Sequence, residues 1–426
     1  ALIDGVVAGG RAVVSGDLDH WPFKSHDGQP APGVFDARAT LRGAVIHFQP
    51  DWPQATRMDA DVAFIGNGFT VGGKAALAEV GVREFSAGIA DYGDALLGID
   101  ARADADAAQF LALLKRSPLQ REHGATLAKL SASGPASTRF SLRMPLKQQG
   151  ARGRIDGQID LRGVRLAESE WKLAFTGVQG SGRYDQDGFD AEGLRAQYDR
   201  QDGRLSLRAG PGHVRDRRQG FEAELDVSMT TDDLLDRSAD LAWLKPHVGG
   251  RSRWTAAISI PSSALSGSST AAGAAARSPL AGVSRLQLRS DLVGTTLALP
   301  APLDKAAGVA LPSTIDLALP VEKGDIAIAL GQRMALRARH AQGQLGIRAT
   351  FGTDRVDEAP PASGLALGGR ASTLDALGWV VLMRGGSSGS SLALRRVDVV
   401  ADRLLLLGAH FPDTRLQLSP AGALLN

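Results

Sequence analysis

The chain of 426 residues contains no cysteine, which excludes disulfides and thiolate metal sites. That is compatible with an oxidising compartment without establishing one. No apolar run approaches the roughly 20 residues needed to cross a bilayer; residues 379–383 and 404–407 are far too short. Excess charge is missing as well. With 48 basic and 46 acidic residues the net charge is +2, so a pI near 9.0 reflects a shallow titration curve and not a basic surface. Long-range attraction to nucleic acid is therefore not expected, and aromatics at 5% are too dispersed for a base-stacking platform. The chain begins at Ala1 in mid-pattern with no signal peptide, and reads as an excised segment of something longer.

What is present is glycine, 51 residues of it, and strand after strand of alternating character. Phe35, Ala37, Ala39 and Leu41 alternate with Asp36, Arg38 and Thr40; the rhythm returns at Phe140, Leu142 and Met144 and at Ile326, Ile328 and Leu330. A period of two means strands with one apolar and one solvated face. Low aromatic content with many short Gly-punctuated strands favours an extended array over two compact sandwiches.

An internal repeat supports the array. Asp36, Leu41, Arg42, Gly43, Gly68 and Phe69 recur 120 positions later as Asp156, Leu161, Arg162, Gly163, Gly188 and Phe189, and Trp52 recurs as Trp171. Each copy reads as an alternating strand ending in Leu-Arg-Gly, a second strand near the Trp, and a hairpin at Gly66 to Gly68 or at Asp187-Gly188. Repetition argues for units that each extend the previous sheet. Helices are expected only over 104–116, with Asp104 as N-cap and Pro118 beyond the end, and more weakly over 231–241. Each would cap a sheet end or line a groove mouth. Residues 261–279 form a Ser, Ala and Gly tract that reads as a flexible insertion; 354–364 and 385–391 read as shorter loops.

Catalytic patterns are weak. Gly385-Gly386-Ser387-Ser388-Gly389 matches a serine-hydrolase elbow, but that motif needs a strand before and a helix after it, and here a Ser-Gly run leads into a strand-like segment. The histidines His20, His26, His47, His123, His213, His247, His340 and His410 fall in no paired ligand spacing. Gly66, Gly68, Gly72 and Gly73 miss the dinucleotide fingerprint and read as turn glycines. Trp52 and Trp171 read as core packing or sheet-edge cover. Neither a cofactor nor a metal is expected.

Ser290-Asp291-Leu292-Val293-Gly294, followed by Leu297-Ala298-Leu299-Pro300-Ala301-Pro302-Leu303-Asp304-Lys305, resembles a signature stretch of the YhdP family within the AsmA-like group of the Gram-negative envelope. The units around Leu41 and Leu161, the turn Ser117-Pro118-Leu119, the strand of Trp254 ending at Ile260-Pro261, and residues 365–379 are similar too. The resemblance implies a protein fixed in the inner membrane by an N-terminal helix and crossing the periplasm as a long β-groove that carries phospholipid towards the outer membrane. Against that family pattern, the anchor and both terminal regions are expected to lie outside this chain.

The reading at this point is an all-β chain with few short helices: an extended, twisted antiparallel sheet curled into a long groove. The expected parts are repeat units at 1–130 and 131–260, the insertion at 261–279, and a continuing groove segment at 280–426. The groove face is expected to include Phe35, Leu41, Val62, Phe64, Leu97, Ile99, Phe140, Leu142, Ile159, Leu161, Leu173, Phe175, Leu225, Leu317 and Ile328, touching phospholipid acyl chains. The function expected is non-enzymatic lipid conduction. The competing readings are an envelope scaffold whose apolar face is ordinary core, and an enzyme on envelope polysaccharide with two carboxylates in a cleft.

Overall fold

The computed structural model describes every residue except 1, 22, 24–30, 49–51, 118–119, 121–123, 125–126, 148–152, 171, 237–242, 266–282, 320–323, 386–392, 422–423 and 426. Trp171, Pro118, most of the 261–279 insertion and the serine of the elbow-like motif lie outside the described residues. The chain packs as two units, residues 1–200 with 205–217, and residues 201–204 with 218–426.

In the first unit the strands are β1 (Leu2–Gly16), β2 (Gly33–Ile46), β3 (Ala55–Ile65), β4 (Gly68–Leu77), β5 (Val80–Ile89), β6 (Leu96–Asp106), β7 (Leu130–Ser133), β8 (Pro135–Pro145), β9 (Arg154–Glu168), β10 (Leu173–Asp185) and β11 (Phe189–Tyr198). Neighbours pair antiparallel from β1 through β6 to β8, β9, β10 and β11, with short β7 also on β9. Strand β12 (Gln201–Ala209) is divided between the two units. The helix α1 (Ala107–Lys115) follows β6. Its N-cap is Asp106 and not Asp104: Asp104 stays in the ladder opposite Ser137, whereas the Asp106 carboxylate accepts from the Ala108 N–H at 2.8 Å and from the Gly134 N–H at 2.8 Å. Gln109 completes a capping box by accepting from the Asp106 N–H at 3.0 Å.

The Leu-Arg-Gly repeat has a structural meaning. Gly43 and Gly163 both adopt positive φ, +61° and +78°, at breaks in the ladder register of β2 and β9. Each is a β-bulge, in which one extra residue bends the strand and increases its twist. The next residues, Ala44 and Val164, are 0% exposed. The pattern recurs on neighbouring strands at Arg57/Met58, Gly177/Val178 and Gly193/Leu194, each a positive-φ residue followed by a buried one. Side chains collect the freed amides: the Asp59 carboxylate accepts from the Gly43 N–H at 3.0 Å, and the Ser206 hydroxyl accepts from the Gly193 N–H at 3.0 Å.

The second unit contains β13 (Gln219–Thr230), α2 (Thr231–Leu235), β14 (Val248–Pro261), α3 (Ser262–Leu265), β15 (Arg285–Ser290), β16 (Thr295–Leu297), β17 (Ser313–Ala318), β18 (Asp325–Leu330), β19 (Met334–Ala341), β20 (Gln344–Phe351), β21 (Gly364–Ala371), β22 (Leu374–Asp375), α4 (Ala376–Gly385), β23 (Leu394–Leu406) and β24 (Ala409–Leu418). Pairing is antiparallel from β13 to β20, with β16 on the first residues of β14. It then turns parallel at β20–β21 and β21–β23, and ends antiparallel at β23–β24. The sheet is therefore mixed and not wholly antiparallel. The long stretches after β20 and after β21 bring the chain back to the same end of the sheet, as a parallel crossover requires. The second helix ends at Leu235, and 237–241 of the span expected to be helical lie outside the described residues.

Candidate apolar conduit face

Cross-strand partners share a face, so the pairing register sorts the side chains of each unit. In the first unit one row runs Ala39, Val62, Val71, Ala87, Ile99, Leu142, Ile155 across seven strands in unbroken register. A second runs Ala37, Phe64, Phe69, Ile89, Leu97, Met144. The third runs Leu41, Ala60, Gly73, Phe85, Ala101, Phe140, Gly157, Tyr184. All three lie on the same face. The intervening row, Thr40, Asp61, Gly72, Ser86, Asp100, Ser141, Asp156, Asp185, is polar and faces the other way.

This register brings together every residue of the first unit expected on the groove face. Phe35 sits two positions before Ala37, opposite Val14. Ile159 and Leu161 lie opposite Thr138 and Ala136, and Phe175 lies opposite Leu166, with Leu173 two positions before it. The bulge at Gly163 keeps Leu161, Val164 and Leu166 on one side. Phe64 is exposed, at 42%, and the others of this unit are half-buried. In the second unit Leu225 is buried and begins the row Leu225, Ala256, Leu288, Ile315, Ile328, Leu336. Leu317 belongs to the adjacent row with Leu286 and Ile326.

Half-burial distinguishes this surface from an ordinary core. At one border of the first unit's face Ala44, Met58 and Ala60 form a buried cluster with Leu41, Ile46 and Phe85 packed on it. Towards the hairpin ends the rings stay accessible: Trp21 contacts Phe35 at 4.7 Å, and Phe69 stacks between Phe64 and Tyr92 at 5.9 and 6.2 Å. The late strands of the second unit are covered instead. There Phe351, Leu374, Val397, Val399 and Leu404 are buried, with Trp379 of α4 packed against them and its indole N–H donating to the Ala301 carbonyl at 3.0 Å.

The alternation alone did not single out Ala60, Phe69, Val71, Phe85, Ile89 and Ile155 on this face; the hairpin turns at Gly66 to Gly68 and Asp187-Gly188 carried the register that would have. Tyr184 was missed for another reason. Its ring lies over Gly157, where an added Cβ would stand 2.1 Å from the ring, and its hydroxyl hydrogen-bonds that of Thr138 at 2.8 Å. Burial pushes the phenol up. A ring from one strand thus fills the gap left by glycine on the next.

The opposite face carries ion pairs. Arg143 grips Asp100 at 2.9 Å and holds its carboxyl below the usual range. A depression of about 460 Å³ opens on this side, lined by Glu84, Ser86, Asp100, Arg102, Arg139, Ser141, Asp156 and Gln158 among others. Glu84 faces Arg102 and Asp100 faces Arg143; Asp100 is kept ionised and so is not poised as a general acid. At the end of β10, His213 bridges two carboxylates, Nε2 to Asp185 at 3.1 Å and Nδ1 to Asp190 at 2.9 Å. Among the described residues no cluster of His, Cys, Asp and Glu has the arrangement of a metal site, and no helix is long and apolar enough to cross a membrane.

The family model described as YhdP protein matches residues 1–423. The chain belongs to the YhdP family. A relative, the intermembrane phospholipid transporter YhdP of Escherichia coli (strain K12), is 31% identical over 170 residues, covering 38% of this chain and 13% of the relative. The chain thus corresponds to a small part of the length of that YhdP protein. No solved structure matches it.

Proposed function

We propose that this chain is a segment of a periplasm-spanning bridge protein that conducts phospholipid between the inner and outer membranes along its apolar sheet face. The observation that carries the reading is the set of unbroken apolar rows on one face of the first unit, half-buried and backed by a charged face. Seven strands span six steps of about 4.8 Å, or roughly 29 Å, against about 15 Å for the acyl chains of one leaflet in a 30 Å hydrocarbon core. At about 0.8 kcal/mol per methylene, drawing two long chains through water costs on the order of 20 kcal/mol. A row of apolar side chains at every strand removes most of that barrier and needs no catalytic residue. Support for phospholipid as cargo comes from the family and from the named activity of the relative. On this reading the protein works in the periplasm and is tethered to the inner membrane, which the named activity of the relative supports.

The test is site-specific photocrosslinking. A photoreactive residue at Val62, Ile99 or Leu142 should capture phospholipid, whereas one at Thr70, Ser86 or Ser141 on the other face should not. Equal capture on both faces, or none on either, would overturn the reading. The scaffold alternative is favoured locally by the buried cluster around Val399, so photoreactive residues there should capture neighbouring protein and not lipid.

A further inference from the structure

The Ser290 to Lys305 stretch takes little part in the apolar rows, yet it builds a second feature within the second unit. Ser252 and Trp254 lie on one face of β14, opposite Met229 and Val227 of β13, and Gly250 on that strand is opposite Thr295 of β16. Their side chains are sealed, with Ser252 at 3%, Trp254 at 8% and Thr295 at 1% exposure. Ser252 Oγ, Trp254 Nε1 and Thr295 Oγ1 nevertheless have no hydrogen-bond partner among the described residues. A buried polar atom left unpaired destabilises a fold. Three at adjoining register positions are a concentration that ordinary packing avoids.

Lys305, bridged to Leu297 of β16, is buried next to Thr295 at 4% exposure. Its Nζ donates to the Thr295 carbonyl at 2.6 Å and the Ala306 carbonyl at 3.0 Å, two of the three bonds an ammonium can make. Burial lowers its pKa, Arg333 lowers it further, and Asp291 opposes both. An indole N–H and an ammonium only donate, and the two hydroxyls can donate. The set therefore suits a group that offers acceptor oxygens and negative charge.

The segment over this cluster is held in a costly conformation. Leu292 adopts φ +52° and Gly294 +93°, the first in a region that disfavours residues with a side chain. Part of its bonding is internal, with the Leu292, Val293 and Thr295 N–H groups donating to Ser290 Oγ, Asp291 Oδ1 and Leu292 O. Its ties to the rest of the unit include Arg251 N–H to Gly294 O at 3.2 Å, Gly294 N–H to Ala307 O at 2.8 Å, Leu311 N–H to Asp291 O at 2.7 Å and Lys305 Nζ to Thr295 O. Val293 at its crest is 44% exposed.

We propose that Ser252, Trp254, Thr295 and Lys305 form a binding site for a phosphoryl group, reached when the 291–295 segment lifts. Trp254 and Val227 lead directly into the Leu225, Ala256, Leu288 row, so the chains of a phosphate-headed amphiphile seated here lie along that row. In this respect the inference rests on the lipid-conduit reading; free phosphate is the other source of the same chemistry.

The experiment follows the Trp254 indole N–H resonance, assigned by its loss in Trp254→Phe, during titration with inorganic phosphate, dihexanoyl phosphatidylglycerol and uncharged dihexanoylglycerol. Methyl resonances of Leu225 and Leu288 are followed in parallel. The phospholipid should move the indole resonance downfield at least tenfold more tightly than inorganic phosphate does, and dihexanoylglycerol should move the methyls alone. Equal midpoints for phosphate and phospholipid would keep the site and assign it to free phosphate. Thr295→Val, matched in shape, should raise the melting temperature by removing an orphaned hydroxyl while weakening the indole response severalfold. Methyl shifts without an indole response would overturn this site and leave the conduit standing. Silence of both would overturn both.

Discussion

Leu142→Asp is the sharpest probe of the conduit face. Leu142 sits between Ile99 and Ile155 in the central row and is half-buried. Full burial of a leucine is worth about 1.5–3 kcal/mol, so losing half of it costs about 1 kcal/mol. The new carboxylate keeps water on the open side and escapes the full penalty of a buried charge. Against a typical stability of about 5–15 kcal/mol the variant should stay folded, melting a few degrees lower by circular dichroism. Transport should suffer more. A hydrated carboxylate covering about one strand step leaves about four passing methylenes in water, roughly 3 kcal/mol, which slows the step on the order of 100-fold. The assay is transfer of a fluorescent phospholipid between donor and acceptor membranes by the full-length protein carrying the change. Thr70→Asp, exposed on the opposite face, is the control and should transfer normally. The reasoning fails if folded Leu142→Asp transfers at the wild-type rate or if Thr70→Asp slows transfer equally; outright unfolding of Leu142→Asp would favour the packed scaffold.

Gly157→Ala drives a methyl group against the Tyr184 ring and should destabilise by about 1–3 kcal/mol; in thermal melts the double variant with Tyr184→Ala should be no worse than Tyr184→Ala alone. At Gly163 the space around an added Cβ is open, so Gly163→Ala isolates the positive-φ cost of about 1–2 kcal/mol, and Gly163→Asn should lose less in urea unfolding. His213 gives a pH dependence of defined sign. Burial pulls its imidazole down, but hydrogen bonds to Asp190 and Asp185 outweigh this and leave it raised, so its contribution is complete below about pH 6.5 and is lost as pH rises through the folded-state value. Asp185 and Asp190 are lowered and contribute above about pH 4, losing that contribution as pH falls through their folded-state values. The β10–β11 hairpin should therefore show greatest hydrogen-exchange protection between these limits, and His213→Gln should flatten the alkaline decline.

Much of the fold was legible because a one-sided strand announces itself by its period. Phe35 to Leu41 and Phe140 to Met144 placed their strands and faces, and the repeated Leu-Arg-Gly marked equivalent places in β2 and β9. Its meaning was not legible: a bulge is a matter of backbone angles and partner register, and Arg57, in the same role as the glycines, carries no such signal. Asp104 and Asp106 are equally plausible caps in sequence, and only the hydrogen bonds of the Asp106 carboxylate and of Gln109 decide between them. The parallel turn at β20, β21 and β23 follows from where long connections return, which composition does not encode. Ser252, Trp254 and Thr295 became neighbours only through strand register.

The bulges also set a rule for lengthening or shortening such a chain. Because each carries one extra residue that offsets the odd–even alternation of its strand, straightening the kink while keeping Gly163 would turn Val164 and Leu166 outward and leave Ile159 and Leu161 in place. A unit copied, excised or grafted therefore keeps its two faces only if its bulge travels with it, which makes the strand together with its kink, and not the strand alone, the smallest interchangeable part of this architecture.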